Sequence, residues 1–157
     1  MDKKGLELEI PGWGTLKLQN ALLDLNGTLA LDGILPETVK KRLHRLQELL
    51  TVYVVTADTH GTVADLLRDC TDLEILRIEV GNEAEQKCDL LEKLGVSHTV
   101  ALGNGANDSL MLLGICVMQG EGSSLQALLA GDILVRSAEE ALDLLLKPAR
   151  LLATLRA

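Results

Sequence analysis

Short apolar runs alternate along this chain with segments of helical periodicity, and this alternation constrains the fold more than any other feature. The segment TVYVV (51–55) is continuously apolar and rich in β-branched residues. Such runs suit strands that are buried on both faces of a parallel sheet. The predicted strands are 21–24, 51–55, 74–80, 98–103, 115–118 and 132–135. We therefore predict one α/β domain over residues 1–157, with a parallel sheet covered by helices on both faces.

Apolar spacing and capping signals predict helices between these strands. Residues 36–50 place Val39, Leu43 and Leu46 on one face, with Pro36 at the first helical position. Further helices are predicted at 62–69, at 83–94, from about 108, at 124–130, from 138 to 147 and at the C-terminus. Capping boxes are predicted at Thr62–Asp65, Asn82–Glu85 and Ser137–Glu140. Residues 6–10 and 15–19 alternate apolar and polar side chains around Pro-Gly-Trp-Gly, which predicts an N-terminal β-hairpin.

Charge and hydropathy exclude several classes of partner. The formal net charge of -8 argues against nucleic acid and anionic membranes as partners. No apolar run approaches the roughly 18 residues of a membrane helix, so we interpret the mean hydropathy of +0.21 as a sign of subunit contacts in a homo-oligomer. The three cysteines form no ligand pattern and the N-terminus shows no signal peptide. We therefore expect a cytoplasmic protein.

The stretch LLDLNGTLAL (22–31) permits two interpretations. Asn26-Gly27 could close a two-residue β-hairpin, because both residues tolerate positive φ. Alternatively, Asp24 ends a buried strand and starts an active-site loop. Ligands of parallel sheets bind beyond the carboxyl ends of the strands. Polar residues do follow other strands here, at 56–58 and 103–108, which favours the active-site interpretation.

Lys87 adds a cation to this set. It shares the apolar face of its predicted helix with Ala84, Leu91 and Leu94, and burying an unpaired ammonium group is costly. We expect an anionic partner, with a snorkelling side chain as the alternative. Simpler interpretations are favoured for other polar residues: Asp58 as a helix cap and His60 as an exposed loop residue.

Four segments together resemble a known family. DLNGT (24–28), Thr56, Lys87 and GNGAND (103–108) resemble, in order, the four motifs of the haloacid dehalogenase (HAD) superfamily. The similarity spans roughly residues 16–146 and is greatest to the phosphorylation domain of P-type ATPases and to small soluble P-type ATPase-like proteins. It implies a three-layer Rossmann-like fold. The intervals between the motifs are too short for the cap domain that many members carry, so we predict a capless protein.

The resemblance implies a role for each matching residue. Asp24 would be the nucleophile and would form an aspartyl-phosphate. Lys87 would supply a fixed positive charge, and the predicted phosphate-binding residues are Gly27, Thr28, Thr56, Ala57, Lys87 and Asn107. Mg²⁺ would be held by Asp24, the backbone carbonyl of Asn26 and Asp108, with Asn104 nearby; hard oxygen ligands suit this ion.

Two positions depart from the family pattern. Superfamily phosphatases carry an acid/base aspartate where this chain has Asn26, and an amide cannot transfer a proton. General acid–base help is worth about 10²–10⁴ in rate, so slow turnover is expected. Asn104 replaces the first acidic residue of the last motif, which removes one charge from the metal site.

The sequence therefore predicts a slow, Mg²⁺-dependent phosphohydrolase that acts through an aspartyl-phosphate on Asp24. Its substrate would be a small phosphorylated compound or a phosphorylated macromolecule. The alternative is a non-catalytic, oligomeric regulatory module that binds phosphate or metal on the same scaffold. Asn26 and Asn104 favour this alternative, whereas Asp24, Lys87 and Asp108 together favour the enzyme.

Overall fold

A six-stranded parallel sheet forms the centre of the computed structural model, which describes residues 2–58, 61–104 and 113–157. An antiparallel hairpin, formed by the first two strands, precedes it. The strands are β1 Leu6–Ile10, β2 Gly14–Leu18, β3 Asn20–Asp24, β4 Thr51–Thr56, β5 Leu73–Arg77, β6 Thr99–Gly103, β7 Leu113–Val117 and β8 Ile133–Val135. The sheet order is β5-β4-β3-β6-β7-β8. This arrangement confirms the predicted α/β fold and the N-terminal hairpin.

Helices connect the strands in the described part of the chain. They are α1 Glu37–Gln47, α2 Val63–Leu66, α3 Glu83–Leu94, α4 Leu125–Ala130, α5 Ala138–Leu146 and α6 Pro148–Leu155, with a 3₁₀ turn at Val96–His98. Among these helices, none is long and apolar enough to cross a lipid bilayer. The helix predicted from about residue 108 begins outside the described residues.

Successive side chains of β3 point to opposite faces of the sheet, so they pack in two separate hydrophobic clusters. Leu23 packs in the large cluster that also holds Val39 and Leu43 of α1. Leu22 packs on the opposite face of the sheet, with Leu91 of α3. Helices therefore cover both faces, and β3 is buried at the centre of the sheet.

The hairpin interpretation of residues 22–31 is wrong. Leu22 pairs in parallel register with Tyr53 of β4 on one side and Ala101 of β6 on the other. Both edges of β3 are therefore occupied, and residues 25–34 form a loop of turns above the sheet. Within this loop the Gly27 N–H donates to the carbonyl of Ala30 at 2.8 Å.

Two of the predicted capping boxes are wrong in their hydrogen bonds. Asn82 precedes α3 with φ of 56° and makes no side-chain cap bond. Instead, the Gln86 side chain accepts from the Glu79 N–H at 2.8 Å and donates to the Glu79 carbonyl at 2.9 Å. Thr62 likewise makes no cap bond at α2. At α5 the Ser137 cap is confirmed, since its hydroxyl accepts from the Glu140 N–H at 3.2 Å.

Candidate active site

The carboxyl ends of three neighbouring strands bring the predicted site residues together. Asp24 ends β3, Thr56 ends the adjacent β4, and Asn104 follows β6 on the other side. Because the three strands are parallel, their ends lie at one edge of the sheet. The topology therefore places Thr56 and Asn104 on the two sides of Asp24.

Asp24 and Lys87 form a buried ion pair. Lys87 Nζ lies 3.1 Å from Asp24 Oδ1, and the side chains are 10% and 19% exposed. Burial raises the pKa of Asp24 above its ordinary value, and the nearby Lys87 ammonium opposes this rise. The ammonium is held against the carboxylate rather than extended into solvent, so the snorkelling alternative is wrong.

Two threonines belong to the same strand ends, since Thr28 follows β3 and Thr56 ends β4. Thr56 Oγ1 accepts from the Asp58 N–H at 3.1 Å and lies 3.4 Å from Asn26 Nδ2, and Ala57 lies between Thr56 and Asp58 in the chain. Thr28 is completely buried, and its Oγ1 has no hydrogen-bond partner among the described residues. A buried hydroxyl without a partner costs free energy, so this atom fits a bound oxyanion.

A segment that the sequence analysis did not single out holds the loop containing Thr28. The Gln119 side chain donates to the Thr28 carbonyl, and Glu121 Oε1 accepts from the Asp32 N–H at 3.1 Å. Both residues lie shortly after the end of β7 at Val117, so the strand-end rule that identified Thr56 would also have found them.

Gly27 lies where this segment meets Asn104. The Asn104 side chain donates to the Gly27 carbonyl at 2.8 Å and to the Gly122 carbonyl at 3.3 Å. A Cβ on Gly27 would lie 2.7 Å from Glu121 Oε2 and 2.8 Å from Asn104 Nδ2, and its φ is +75°. Only glycine suits both the backbone conformation and this close approach.

Asp58 caps the short helix α2, as expected. Its Oδ2 accepts from the Val63 N–H at 3.1 Å, and the Thr62 hydroxyl lies 3.5 Å from Oδ1. Arg77, at the end of β5, lies 3.8 Å from the same carboxylate. Asp58 therefore joins the start of α2 to the ends of β4 and β5.

The predicted residues His60, Asn107 and Asp108 lie outside the described part of the chain, as do the other residues of GNGAND after Asn104. The residues that are described contain no group of three or more His, Cys, Asp or Glu side chains able to hold a metal. They do supply the Asp24 carboxylate. The side-chain NH₂ group of Asn104 donates to two backbone carbonyls, so its Oδ1 is the atom that could coordinate a cation. These oxygen donors fit a hard divalent cation.

Comparison with known proteins shows a relative of this chain. No family model matches. Uncharacterized protein MJ0073 of Methanocaldococcus jannaschii is 40% identical over 92 residues, which cover 54% of this chain and 99% of that protein. The chain belongs to the family of MJ0073. A second protein of that organism, uncharacterized MJ0072, is 55% identical over 38 residues, which cover 24% of this chain and 86% of that protein.

Comparison with solved structures identifies the fold of this chain. The 3-deoxy-D-manno-octulosonate 8-phosphate phosphatase of Moraxella catarrhalis, in complex with magnesium, phosphate and KDO, matches with a TM-score of 0.67 and 17% identity, over 83% of this chain and 86% of that chain. The cobalt-bound YrbI phosphatase of Haemophilus influenzae matches with a TM-score of 0.66 and 13% identity, over 85% and 89% of the two chains. The chain therefore has the HAD fold.

Proposed function

We propose that this protein is a divalent-metal-dependent phosphohydrolase that acts through an aspartyl-phosphate on Asp24. The observation that carries the proposal is the buried ion pair of Asp24 and Lys87 at the end of the central strand. Replacing a buried ion pair with apolar side chains is often neutral or stabilising, so the stability of the fold alone does not explain why this pair lies at the end of the central strand. The fold shared with HAD phosphatases supports the same class of reaction.

The proposed reaction has two displacements. An Asp24 oxygen bonds to the phosphorus of a phosphomonoester and the ester P–O bond breaks. Water then bonds to the phosphorus, releasing inorganic phosphate and the free Asp24 carboxylate. Lys87 balances the charge of the nucleophile, while Thr28 and Thr56 hydrogen-bond phosphoryl oxygens. Because Asn26 transfers no proton, the leaving group and the attacking water exchange protons with solvent.

The residues proposed to hold the cation are Asp24, the backbone carbonyl of Asn26 and Asp108, with Asn104 nearby. Neutralisation of the phosphoryl oxygens is the chemistry that a bound Mg²⁺ supplies. The solved structures of two similar phosphatases contain magnesium and cobalt, which supports a divalent ion. The charge missing at Asn104 is expected to weaken the site relative to an all-carboxylate set.

The substrate class and the assembly remain those expected from the sequence. A small phosphorylated compound or a phosphorylated macromolecule would reach Asp24 directly, because the segments between the motifs are short. The soluble P-type ATPase-like subgroup, the capless architecture, the cytoplasmic location and the homo-oligomer stay predictions. The similar phosphatase that is named for a phosphorylated sugar acid supports a small substrate.

A non-catalytic phosphate- or metal-binding module is the second candidate, and specific contacts favour it. The Asn26 amide lies 3.4 Å from Thr56 Oγ1, and the Asn104 amide donates to two backbone carbonyls. Both amides thus have structural contacts in the positions where the superfamily pattern has acids. In this candidate the site would bind phosphate without turnover.

Steady-state hydrolysis of p-nitrophenyl phosphate distinguishes the two candidates. The enzyme is expected to release phosphate with Mg²⁺ present, to stop when EDTA removes the metal, and to lose activity in Asp24→Asn. Asp65→Asn, an exposed carboxylate of α2, is the matched control. Metal-independent hydrolysis, or equal rates in the native protein and Asp24→Asn, would contradict the proposal.

A further inference from the structure

A cavity of about 550 Å³ lies beside α1. Asp69 and Cys70, which precede β5, line one side of it. The other side is formed by five residues of α1: Glu37, Lys40, Lys41, His44 and Arg45. The volume lies within the range of about 300–1,000 Å³ that is typical of small-molecule sites. The proposed reaction uses none of these residues.

Three side chains of the α1 wall carry donors that no protein group uses. Within the part of the chain that the structure describes, Lys41, His44 and Arg45 make no side-chain hydrogen bond or ion pair. Arg42 of the same helix, by contrast, donates two hydrogen bonds to Asp143. Lys41 and Arg45 are four residues apart, so they are neighbours on one helix face. Like charges at this spacing destabilise a helix, and a bound anion would offset their repulsion.

The two carboxylates of the cavity do not neutralise these cations. Asp69 Oδ2 lies 3.6 Å from Lys40 Nζ, so this pair accounts for one carboxylate and one cation. Glu37 lies one helical turn before Lys41 and forms no ion pair with any residue that the structure describes. Lys41 and Arg45 therefore outnumber the remaining carboxylate, and the cavity is locally positive in a chain of net charge -8.

The wall opposite α1 is uncharged at Cys70. This residue is 7% exposed and belongs to the large hydrophobic cluster. Burial raises the pKa of its thiol, so the thiol is protonated at neutral pH. The aliphatic stems of Lys40 and Arg45 supply further apolar surface. The cavity therefore combines a cationic wall with an apolar one.

The cavity and Asp24 belong to different faces of the sheet. Cys70 packs in the cluster beneath α1, whereas Leu91 of α3 packs in the second cluster with Leu22. Asp24 follows Leu22 by two residues, so its side chain points to the face that α3 covers. A ligand of the cavity would therefore bind apart from the proposed phosphoryl site.

We propose that this cavity binds a small organic phosphate, with the dianionic group between Lys41 and Arg45 and the apolar body against Cys70. Two cations without protein partners match the two charges of a phosphate monoester, and a guanidinium binds phosphate through paired N–H donors. Glu37 and Asp69 disfavour a more highly charged anion. The site does not rest on the proposed function, because it uses no residue of the proposed active site.

Benzylphosphonate is the probe for this site, because it joins a dianionic group to an apolar ring and contains no ester bond for a phosphohydrolase to cleave. NMR titration should shift the imidazole resonances of His44, which lines the cavity, and His44→Gln assigns these signals. The resonances of His98, whose Nδ1 lies 3.2 Å from the Lys17 carbonyl, should not move. The absence of binding, or saturable binding without a shift at His44, would overturn the proposal.

Calorimetric titration with the same probe tests the two cations. Lys41→Gln and Arg45→Gln should each weaken binding about tenfold, because each removes a charge-assisted contact, and Arg45→Lys should restore part of the loss. Arg136→Gln removes an exposed arginine that pairs with Glu140, so this matched control should keep the native affinity. Equal affinities in the native protein and in both cavity variants would overturn the site.

Two further comparisons test the class of ligand and its independence from Asp24. Benzyl alcohol lacks the anion and methylphosphonate lacks the ring, so both should bind more weakly than benzylphosphonate. Equal binding of either compound would contradict a site that needs both parts. Asp24→Asn should retain the shift at His44. Loss of that shift in Asp24→Asn would mean that Asp24 holds the probe, and would overturn the separate cavity site.

Discussion

Asn26 is the residue that limits the rate in the proposed reaction. Its side chain points to Thr56 Oγ1 at 3.4 Å, so a carboxylate in its place would lie beside the phosphoryl site. Asn26→Asp should therefore speed hydrolysis of the aspartyl-phosphate by about 10²–10⁴, the usual value of general base catalysis. Single-turnover decay of the phosphorylated protein measures this. An unchanged decay rate would show that Asn26 is not the reason for slow turnover.

Lys87 supplies the positive charge of the site. Lys87→Met keeps the length and apolar stem of the side chain but removes the ammonium that lies 3.1 Å from Asp24. We expect phosphoenzyme formation to slow by about 10²–10³, the range for loss of one preorganised electrostatic contact. Rapid-quench measurement of phosphorylation tests this, with Lys93→Met, which replaces an exposed lysine of the same helix, as the control. A variant that folds and reacts at the native rate would remove Lys87 from the mechanism.

The sequence identifies the site residues that carry a local signal, but not those placed by contacts between distant parts of the chain. Asp24 and Thr56 end buried strands, and Lys87 lies on an apolar helix face; each signal is local. The phosphate-loop contacts of Gln119 and Glu121 join residues about ninety positions apart, and no local periodicity encodes them. Only their place shortly after a strand could have identified them.

The loop of residues 25–34 is the element on which the geometry of the site depends. Gly27→Ala would force a Cβ to within 3 Å of both Glu121 and Asn104 at a φ of +75°. We expect the substitution to destabilise the fold by about 1–3 kcal/mol and to slow phosphoenzyme formation. Thermal unfolding and rapid-quench assays measure the two effects.

Gly33→Ala is the matched control for this prediction. Gly33 lies in the same loop with φ of +74°, but a Cβ there meets nothing within 4 Å. Gly33→Ala should therefore show the free-energy cost of a non-glycine residue at positive φ, without the steric clash that Gly27→Ala adds. If both variants form the phosphoenzyme at equal rates, the contacts of Glu121 and Asn104 with Gly27 do not shape the site.

Helices α1 and α5 are joined by a bidentate ion pair. Arg42 Nε lies 2.9 Å from Asp143 Oδ1, and Nη2 donates to Oδ2 at 3.2 Å. The hydrogen bonds from Arg42 lower the pKa of Asp143, against the opposing effect of desolvation. A carboxyl with a depressed pKa in the folded state contributes stability above its unfolded pKa of about 3.9, and loses it as pH falls through the folded value.

Arg42→Gln should therefore reduce the free energy of unfolding by about 1 kcal/mol at neutral pH. The difference from the native protein should shrink as pH falls from about 4 through the lower folded pKa of Asp143, and disappear once Asp143 is protonated in both states. Urea unfolding at several pH values measures it. A deficit that is constant down to pH 2 would mean that Arg42 acts by packing and not by charge.

The ends of strands and helices show which structural features the local sequence predicts. The strand at 51–56 and the helix from Ser137 follow their sequence patterns closely, because β-branched runs and a serine cap act locally. The caps at Asn82 and Thr62 do not. At α2, Asp58 accepts from the Val63 N–H in place of Thr62, and before α3 the Gln86 side chain bonds to the backbone of Glu79 and Gly81. A capping pattern predicts that a helix begins, but competing acceptors decide which side chain caps it.

At the scale of the whole molecule, the sheet order could be predicted only in outline. The alternation of strands and helices indicates a parallel sheet, and the position of β3 at its centre follows from the parallel pairing of Leu22 on both sides. That central position brings Asp24 between Thr56 and Asn104. The reaction proposed here therefore depends on the topology as much as on the motifs.

Intact-mass spectrometry after incubation with acetyl phosphate and Mg²⁺ tests the central claim most directly. The native protein is expected to gain one phosphoryl group that Asp24→Asn does not gain, and to lose it slowly after the donor is removed. The absence of any adduct, together with no release of phosphate from acetyl phosphate, would contradict the phosphoenzyme and favour the binding module.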